Sequence, residues 1–264
     1  MIRPEVRPPA GVLPGEWDPP NITLDHPPPT LHREDVHPHA ALLHRALTAA
    51  DCARLIAAMA ASGKASPVSV SGHLDGDTSL GSVRATAWAP TLAAALWKRI
   101  RPGLLGVREM TDTTPTDWYA LDGRREHRRW RAVGVGPVLR FMRYESGGRH
   151  CAHYDMGFDY PDARRSLMSL VFYLTSTPPH TGGRTRLITD GQEALPMWRR
   201  VHDDWIREAT NDEVALQIAP HQGSALIFDH RLCHDVEHYT GDVPRIIVRG
   251  DVIFEALDFE PLDV

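Results

Sequence analysis

The chain has 264 residues, enough for one large domain with a substantial buried core. Its net charge of −5 mixes both signs, so neither nucleic acid nor an anionic membrane is expected as a partner. Three scattered cysteines, Cys52, Cys151 and Cys233, argue against a disulfide framework and for a reducing, cytoplasmic compartment.

The first seventeen residues, MIRPEVRPPAGVLPGEW, lack the apolar core of a secretory signal, and no apolar run approaches the roughly 20 residues of a spanning helix. Residues 1–40 are dense in proline, which fixes φ and removes a donor, so an extended, irregular arm is expected. Val12, Leu13, Trp17 and Ile22 leave open whether it wraps the core or hangs free.

Residues 41–132 form the next unit, a helical covering region. Thr48 is suited to cap a helix whose apolar positions Cys52, Leu55, Ile56 and Met59 share one face, with Asp51 in its first turn and Gly63 as its stop. A short strand with loops is expected over 67–88, and a second amphipathic helix over 90–101 from Leu92, Ala95, Leu96 and Ile100. Residues 109–131 are polar and arginine-rich. They fit a solvated segment, or a lid whose arginine would hold a substrate carboxylate or phosphate.

From 133 to 264 the pattern changes to short β-rich runs over 133–144, 166–175, 183–189, 214–219, 223–229 and 244–254, punctuated by Gly, Pro, Asp and Asn. Strands without helical crossovers imply an antiparallel sandwich or jelly roll, so the fold class is mainly β with flanking helices. The segment 194–209 reads as either a helix or an inserted loop.

His153 and Asp155 stand two apart on extended chain, and period-two alternation aims both at one face. His234, in GSALIFDHRLCH, supplies a third ligand. Two histidines and one carboxylate with open positions are the donor set of non-haem Fe(II) oxygenases. The neighbouring Cys233 is expected to point away. Alternation also places Leu167, Ser169, Val171 and Tyr173 on one face, and gives Arg249 and Asp251 the inward parity of Arg245. A pairing of Arg249 with Asp251 is expected, with contact from Arg249 to the substrate as the alternative.

Four blocks then follow in order: RYESGGRHCAHYD, LVFYLTS with GGRTRL, APHQGSALIFDHRLCH and PRIIVRGDVIF. They resemble the Fe(II)/2-oxoglutarate-dependent dioxygenases of the prolyl 4-hydroxylase-like superfamily over about 115 residues, from Arg140 to Phe254. The resemblance implies a double-stranded β-helix core. It also implies Fe(II) on His153, Asp155 and His234, and 2-oxoglutarate held by Arg245 and Tyr173 in a pocket lined by Tyr144. The family's spacing selects His234 over His230 and His238, although the gap from His234 to Arg245 is one or two residues longer than the family's.

The implied reaction is hydroxylation of an unactivated C–H by O2, coupled to decarboxylation of 2-oxoglutarate to succinate. Related halogenases carry Gly or Ala at the carboxylate position, so Asp155 points to hydroxylation, with desaturation or ring closure left open. The expected substrate is a small molecule: an amino acid, a nucleoside or a secondary metabolite. A peptidyl-proline or other protein side chain is the alternative, and a non-catalytic β-helix binding module is the third reading.

Overall fold

The computed structural model describes residues 19, 22–26, 28–69, 79–104, 109–111, 129–158, 160, 164–193, 195 and 200–257. The N-terminal elements are β1 (His32–His37), β2 (Ala40–His44), α1 (Ala49–Ser62), β3 (Ser66–Ser69), β4 (Ser79–Trp88) and α2 (Pro90–Ile100). Next come β5 (Glu109–Thr111), β6 (Arg129–Val135), β7 (Val138–Tyr144), β8 (His150–His153) and β9 (Arg164–Tyr173). The chain continues through β10 (Thr185–Ile188), β11 (Val214–Ile218), β12 (Ala225–Asp229), β13 (His234–Val236) and β14 (Arg245–Ala256).

Two antiparallel sheets result. The larger runs β1-β2-β12-β9-β14-β7-β4-β3, with β6 pairing the far half of β14 and β5 pairing β6. The smaller runs β11-β10-β13-β8. From β7 to β14 the chain changes sheet at every connection except β10–β11, which is the winding of a jelly roll. The expected double-stranded β-helix is present.

Alternation along the large sheet separates two apolar layers. Phe141, Leu170, Phe172 and Val248 face outward to Leu55 of α1 and Leu92 and Leu96 of α2. Met142, Val171, Ile247 and Phe228 face inward, toward Leu187 and Val236 of the small sheet. Burying each such side chain fully is worth about 1.5–3 kcal/mol, so the helices contribute stability by covering the sheet.

The first helix forms as its caps dictate. Thr48 Oγ1 accepts from Asp51 N at 3.0 Å, Asp51 Oδ2 accepts from Thr48 N at 3.0 Å, and Gly63 ends the helix at φ 60°. The second helix starts at Pro90, where a missing N–H costs nothing.

Two local expectations change and a third narrows. The irregular arm gives way at His32 to a hairpin, and β2 pairs with β12 through Ala41 and Ile227, extending the large sheet. Leu167 does not share the Ser169 face: a bulge where Val252 and Ile253 of β14 meet Met168 and Ser166 turns it into the outer layer. In 194–209, the described residues 200–209 contain no helix. Of the lid candidate 109–131, Arg131 bonds Glu255 at the surface, while 112–128, with Arg124, Arg125 and Arg128, lies outside the described residues.

Candidate metal centre

His153 ends β8 and His234 begins β13, and the two residues face each other in the small sheet's register. Their ring centroids are 4.3 Å apart. Asp155, just past β8, brings Oδ1 to 3.7 Å from His153 Nε2 and Oδ2 to 3.5 Å from His234 Nε2. One donor atom from each residue falls within 4.8 Å of the other two, a group that could hold a metal ion.

Both rings are oriented from behind. His153 Nδ1 lies 2.8 Å from the Cys151 carbonyl and His234 Nδ1 lies 3.0 Å from the Leu232 carbonyl. An Nδ1–H donated to a carbonyl leaves the Nε2 lone pair free, and in both rings Nε2 is the atom turned toward Asp155. Burial and the neighbouring His153 push the His234 pKa down to about 3, which keeps that ring neutral and able to coordinate. Burial also opposes a charge on His153, but Asp155 outweighs it and lifts that ring's pKa.

Asp155 is the most heavily supported residue of the three. Ser169 Oγ donates to Oδ2, and Arg249 reaches Oδ1 at 2.6 Å and Oδ2 at 3.2 Å. Burial pushes this carboxyl up, but Arg249 and the two histidines overcome it and hold the group well below the usual carboxylate range. Arg249 therefore spends its shorter contact on Asp155, and the expected partner Asp251 is farther, at 3.4 Å. Cys233 is buried with Ala152 and Ile188, away from the three donor atoms, as expected. His230 is buried beside Asp251, with its Nε2 3.4 Å from Oδ1.

A second feature lies on the same inner face. Arg245 is fully buried, yet among the described residues no carboxylate pairs with it. Its Nε donates to the Gly183 carbonyl at 2.7 Å and one terminal nitrogen to Thr185 Oγ1 at 3.2 Å; the other, Nη1, has no partner. Gly183 sits at φ 72°, and a Cβ there would meet Tyr239 at 2.9 Å and Arg245 Cδ at 3.2 Å, so the close approach needs glycine. The guanidinium carbon lies 4.7 Å from the Tyr144 ring centre and 5.8 Å from that of Tyr173. Tyr173 donates to Thr185 Oγ1 at 2.9 Å. A buried, uncompensated guanidinium costs several kcal/mol, so this corner is built to receive an anion. The donor set fits a divalent metal, and the arginine corner fits the far carboxylate of a dicarboxylate chelating it.

The model of the 2OG-Fe(II) oxygenase superfamily matches residues 139–250, which run from β7 into β14 and contain His153, Asp155, His234, Arg245 and Arg249, though not Asp251. This segment is a 2OG-Fe(II) oxygenase domain. The oxygenase is an oxidoreductase that works with Fe(II), 2-oxoglutarate and O2. No curated protein matches the chain in sequence.

Solved structures similar to the oxygenase include a viral collagen prolyl hydroxylase from Paramecium bursaria Chlorella virus-1 in complex with 2-oxoglutarate. It is 16% identical, with 82% of this chain and 96% of that one covered, at a TM-score of 0.45. A Pseudomonas putida prolyl-4-hydroxylase is 18% identical over 81% of this chain and 92% of that one, at 0.45. HygX from Streptomyces hygroscopicus, with nickel and 2-oxoglutarate bound, is 10% identical over 84% of each chain, at 0.47.

Two residues escaped the sequence-based expectation. The role of Ser169 was signalled only by its shared face with Val171 and Tyr173. Thr185, which joins Tyr173 to Arg245, was visible in GGRTRL as a motif letter without a task.

Proposed function

We propose that the oxygenase domain hydroxylates an unactivated C–H of a small molecule, with His153, Asp155 and His234 as the Fe(II) ligands. Arg245 binds the far carboxylate of 2-oxoglutarate, Tyr173 bonds the same group, and Tyr144 lines its pocket. Residues 133–264 are the catalytic core in this reading, 41–132 its cover and 1–40 an arm. The observation that carries it is the buried Arg245, without a counter-charge among the described residues, on the same inner face as Arg249, which grips Asp155. When bound, the metal supplies oxidation by O2 coupled to loss of CO2 from 2-oxoglutarate.

The chain's own tasks are separable. Leu232 and Cys151 carbonyls fix the imidazoles, Ser169 and Arg249 keep Asp155 ionised, and Arg245 with Thr185 orients the cosubstrate. The metal-facing side chains are recessed, with 17%, 8% and 8% of His153, Asp155 and His234 exposed, which suits a slender substrate.

Anaerobic addition of Fe(II) and then 2-oxoglutarate is expected to give a weak visible charge-transfer band. Asp155→Ala and His234→Ala are expected to lose both the band and succinate formation; retention of either in these variants removes that residue from the site. A screen of amino acids, nucleosides and peptides, read as succinate release, then identifies the substrate. Stimulation by proline peptides alone would move the assignment to the protein side-chain alternative.

A further inference from the structure

The inner face of the large sheet carries more positive charge than the metal and cosubstrate reading consumes. Arg140 of β7 and Arg249 of β14 stand directly opposite each other in the register. Like charges in that position repel, so the pair needs an anion. Asp155 and Asp251 neutralise Arg249, at 2.6 and 3.4 Å. Among the described residues Arg140 pairs only with Asp251, at 3.7 Å, beyond hydrogen-bonding distance and shared with Arg249 and His230. Its Nη1, the atom that faces Asp251, is buried without a hydrogen-bond partner, and among the described residues its guanidinium donates no hydrogen bond. Burial and the facing Arg249 lower its pKa to about 10, so it stays cationic at neutral pH.

Arg140 is reachable from solvent. Its side chain is 16% exposed, and its guanidinium carbon lies 5.8 Å from the ring centre of Phe158, itself 38% exposed. Thr86 of β4 pairs with Arg140, and Arg84 lies two residues along on the same face. Arg84 is exposed and has no acidic partner among the described residues. From the open side of the sheet toward Asp155 the face thus runs Arg84, Arg140, Arg249. If Asp155 serves a metal, Asp251 alone remains to balance three guanidinium groups.

We infer that the substrate of this site is anionic, its carboxylate or phosphate seated on Arg140 with Arg84 at the entrance. This inference rests on the metal and 2-oxoglutarate reading above. A guanidinium fork binds either oxyanion in a bidentate manner, and Arg249 beside it places the anion one side chain from Asp155. The remainder of the substrate then lies between that anchor and the metal ligands, which fixes which C–H is presented.

The test uses the protein with Fe(II) and saturating 2-oxoglutarate under anaerobic conditions, so that the Arg245 corner is filled. Thermal unfolding is followed while sodium acetate or sodium sulfate replaces sodium chloride at constant ionic strength. At tenfold excess over its dissociation constant, an anion bound to the folded protein is expected to raise the midpoint by roughly 3 °C. That shift disappears in Arg140→Gln and weakens several-fold in Arg84→Gln, whose exposed position folding does not depend on. A response to acetate alone assigns a carboxylate, and one to sulfate alone a phosphate ester.

No shift in the wild type, or equal shifts in the wild type and both variants, overturns the inference. The charge-transfer band is recorded on the same samples. Its absence from the wild type brings down the site reading itself, whereas its presence without an anion response brings down only the anionic substrate. In the succinate screen, a neutral stimulant whose turnover Arg140→Gln leaves unchanged would also overturn it.

Discussion

Arg245 separates the requirements of function from those of folding. Its guanidinium is removed from water and donates to Gly183 and Thr185, but among the described residues no carboxylate pairs with its charge. Arg245→Met fills similar space without the charge. In the absence of 2-oxoglutarate it is expected to be as stable as the wild type or more so, by about 1–3 kcal/mol, as when buried charges yield to apolar side chains. Its 2-oxoglutarate affinity is expected to fall about 100-fold, the loss of two charge-assisted hydrogen bonds, with Fe(II) binding retained. Calorimetric titration and denaturant unfolding on the same variant check both halves. A variant that lost iron, or that unfolded more readily without cosubstrate, would show Arg245 to be structural. The proposed metal ligands themselves were legible as residue types at a spacing. The grip of Arg249 on Asp155 was not, because parity shows that two side chains share a face and not which neighbour is nearer.

At the scale of elements, legibility follows how local the determining chemistry is. Helix α1 could be read to the residue because its ends are set locally, by Thr48 with Asp51 in the first turn and by Gly63 just past the last. The β1–β2 hairpin could not: HREDVH is polar on both faces, and what fixes it is β12, some 180 positions away. Leu167 was misplaced for the same reason, since the bulge that turns it outward is set by β14. Asp51 shows a local signal with a tertiary burden. Besides capping α1 it receives Asp25 N at 2.8 Å, Arg54 at 2.6 Å and the buried Arg99 of α2 at 3.3 Å. Asp51→Ala removes the capping box and strands Arg99, for an expected loss of about 3 kcal/mol. Burial pushes the Asp51 carboxyl up, but the N–H groups of Thr48 and Asp25, with Arg54, outweigh it and hold the pKa below its ordinary value. A depressed carboxylate stabilises fully above its unfolded pKa of about 3.9, and that contribution fades as pH falls through the folded value. The stability gap between wild type and Asp51→Asn is therefore expected to be open at pH 7 and to narrow as pH falls below about 4. Melting curves at pH 7 and pH 3 measure it, and a gap of equal size at both would assign the effect to hydrogen bonding instead of charge.

At the scale of the whole molecule, the oxygenase segment is continuous with what precedes it. The superfamily match begins at residue 139, yet the large sheet does not. Strand β4 pairs with β7 from Ser82 opposite Tyr144 to Trp88 opposite Val138, and β2 pairs with β12 on the other flank. Without them two edges of the jelly roll would present unpaired N–H and C=O groups. Without α1 and α2, the outward Phe141, Leu170, Phe172 and Val248 would form one exposed apolar surface. A fragment of residues 133–264 is thus expected to aggregate, or to show strand content without a cooperative thermal transition, and to bind no 2-oxoglutarate. A chain beginning at residue 19 keeps Asp25 on Thr48 and Arg54, and keeps Ile22 and Leu24 against the core. It is expected to melt cooperatively at a midpoint close to that of the full chain. Circular dichroism melts of the two truncations make the comparison. A sharp transition in the 133–264 fragment would show that the helices and flanking strands are accessories; its absence would make them part of one folding unit with the proposed metal ligands, because the sheet that carries Arg245 and Arg249 is completed by strands from both halves of the chain.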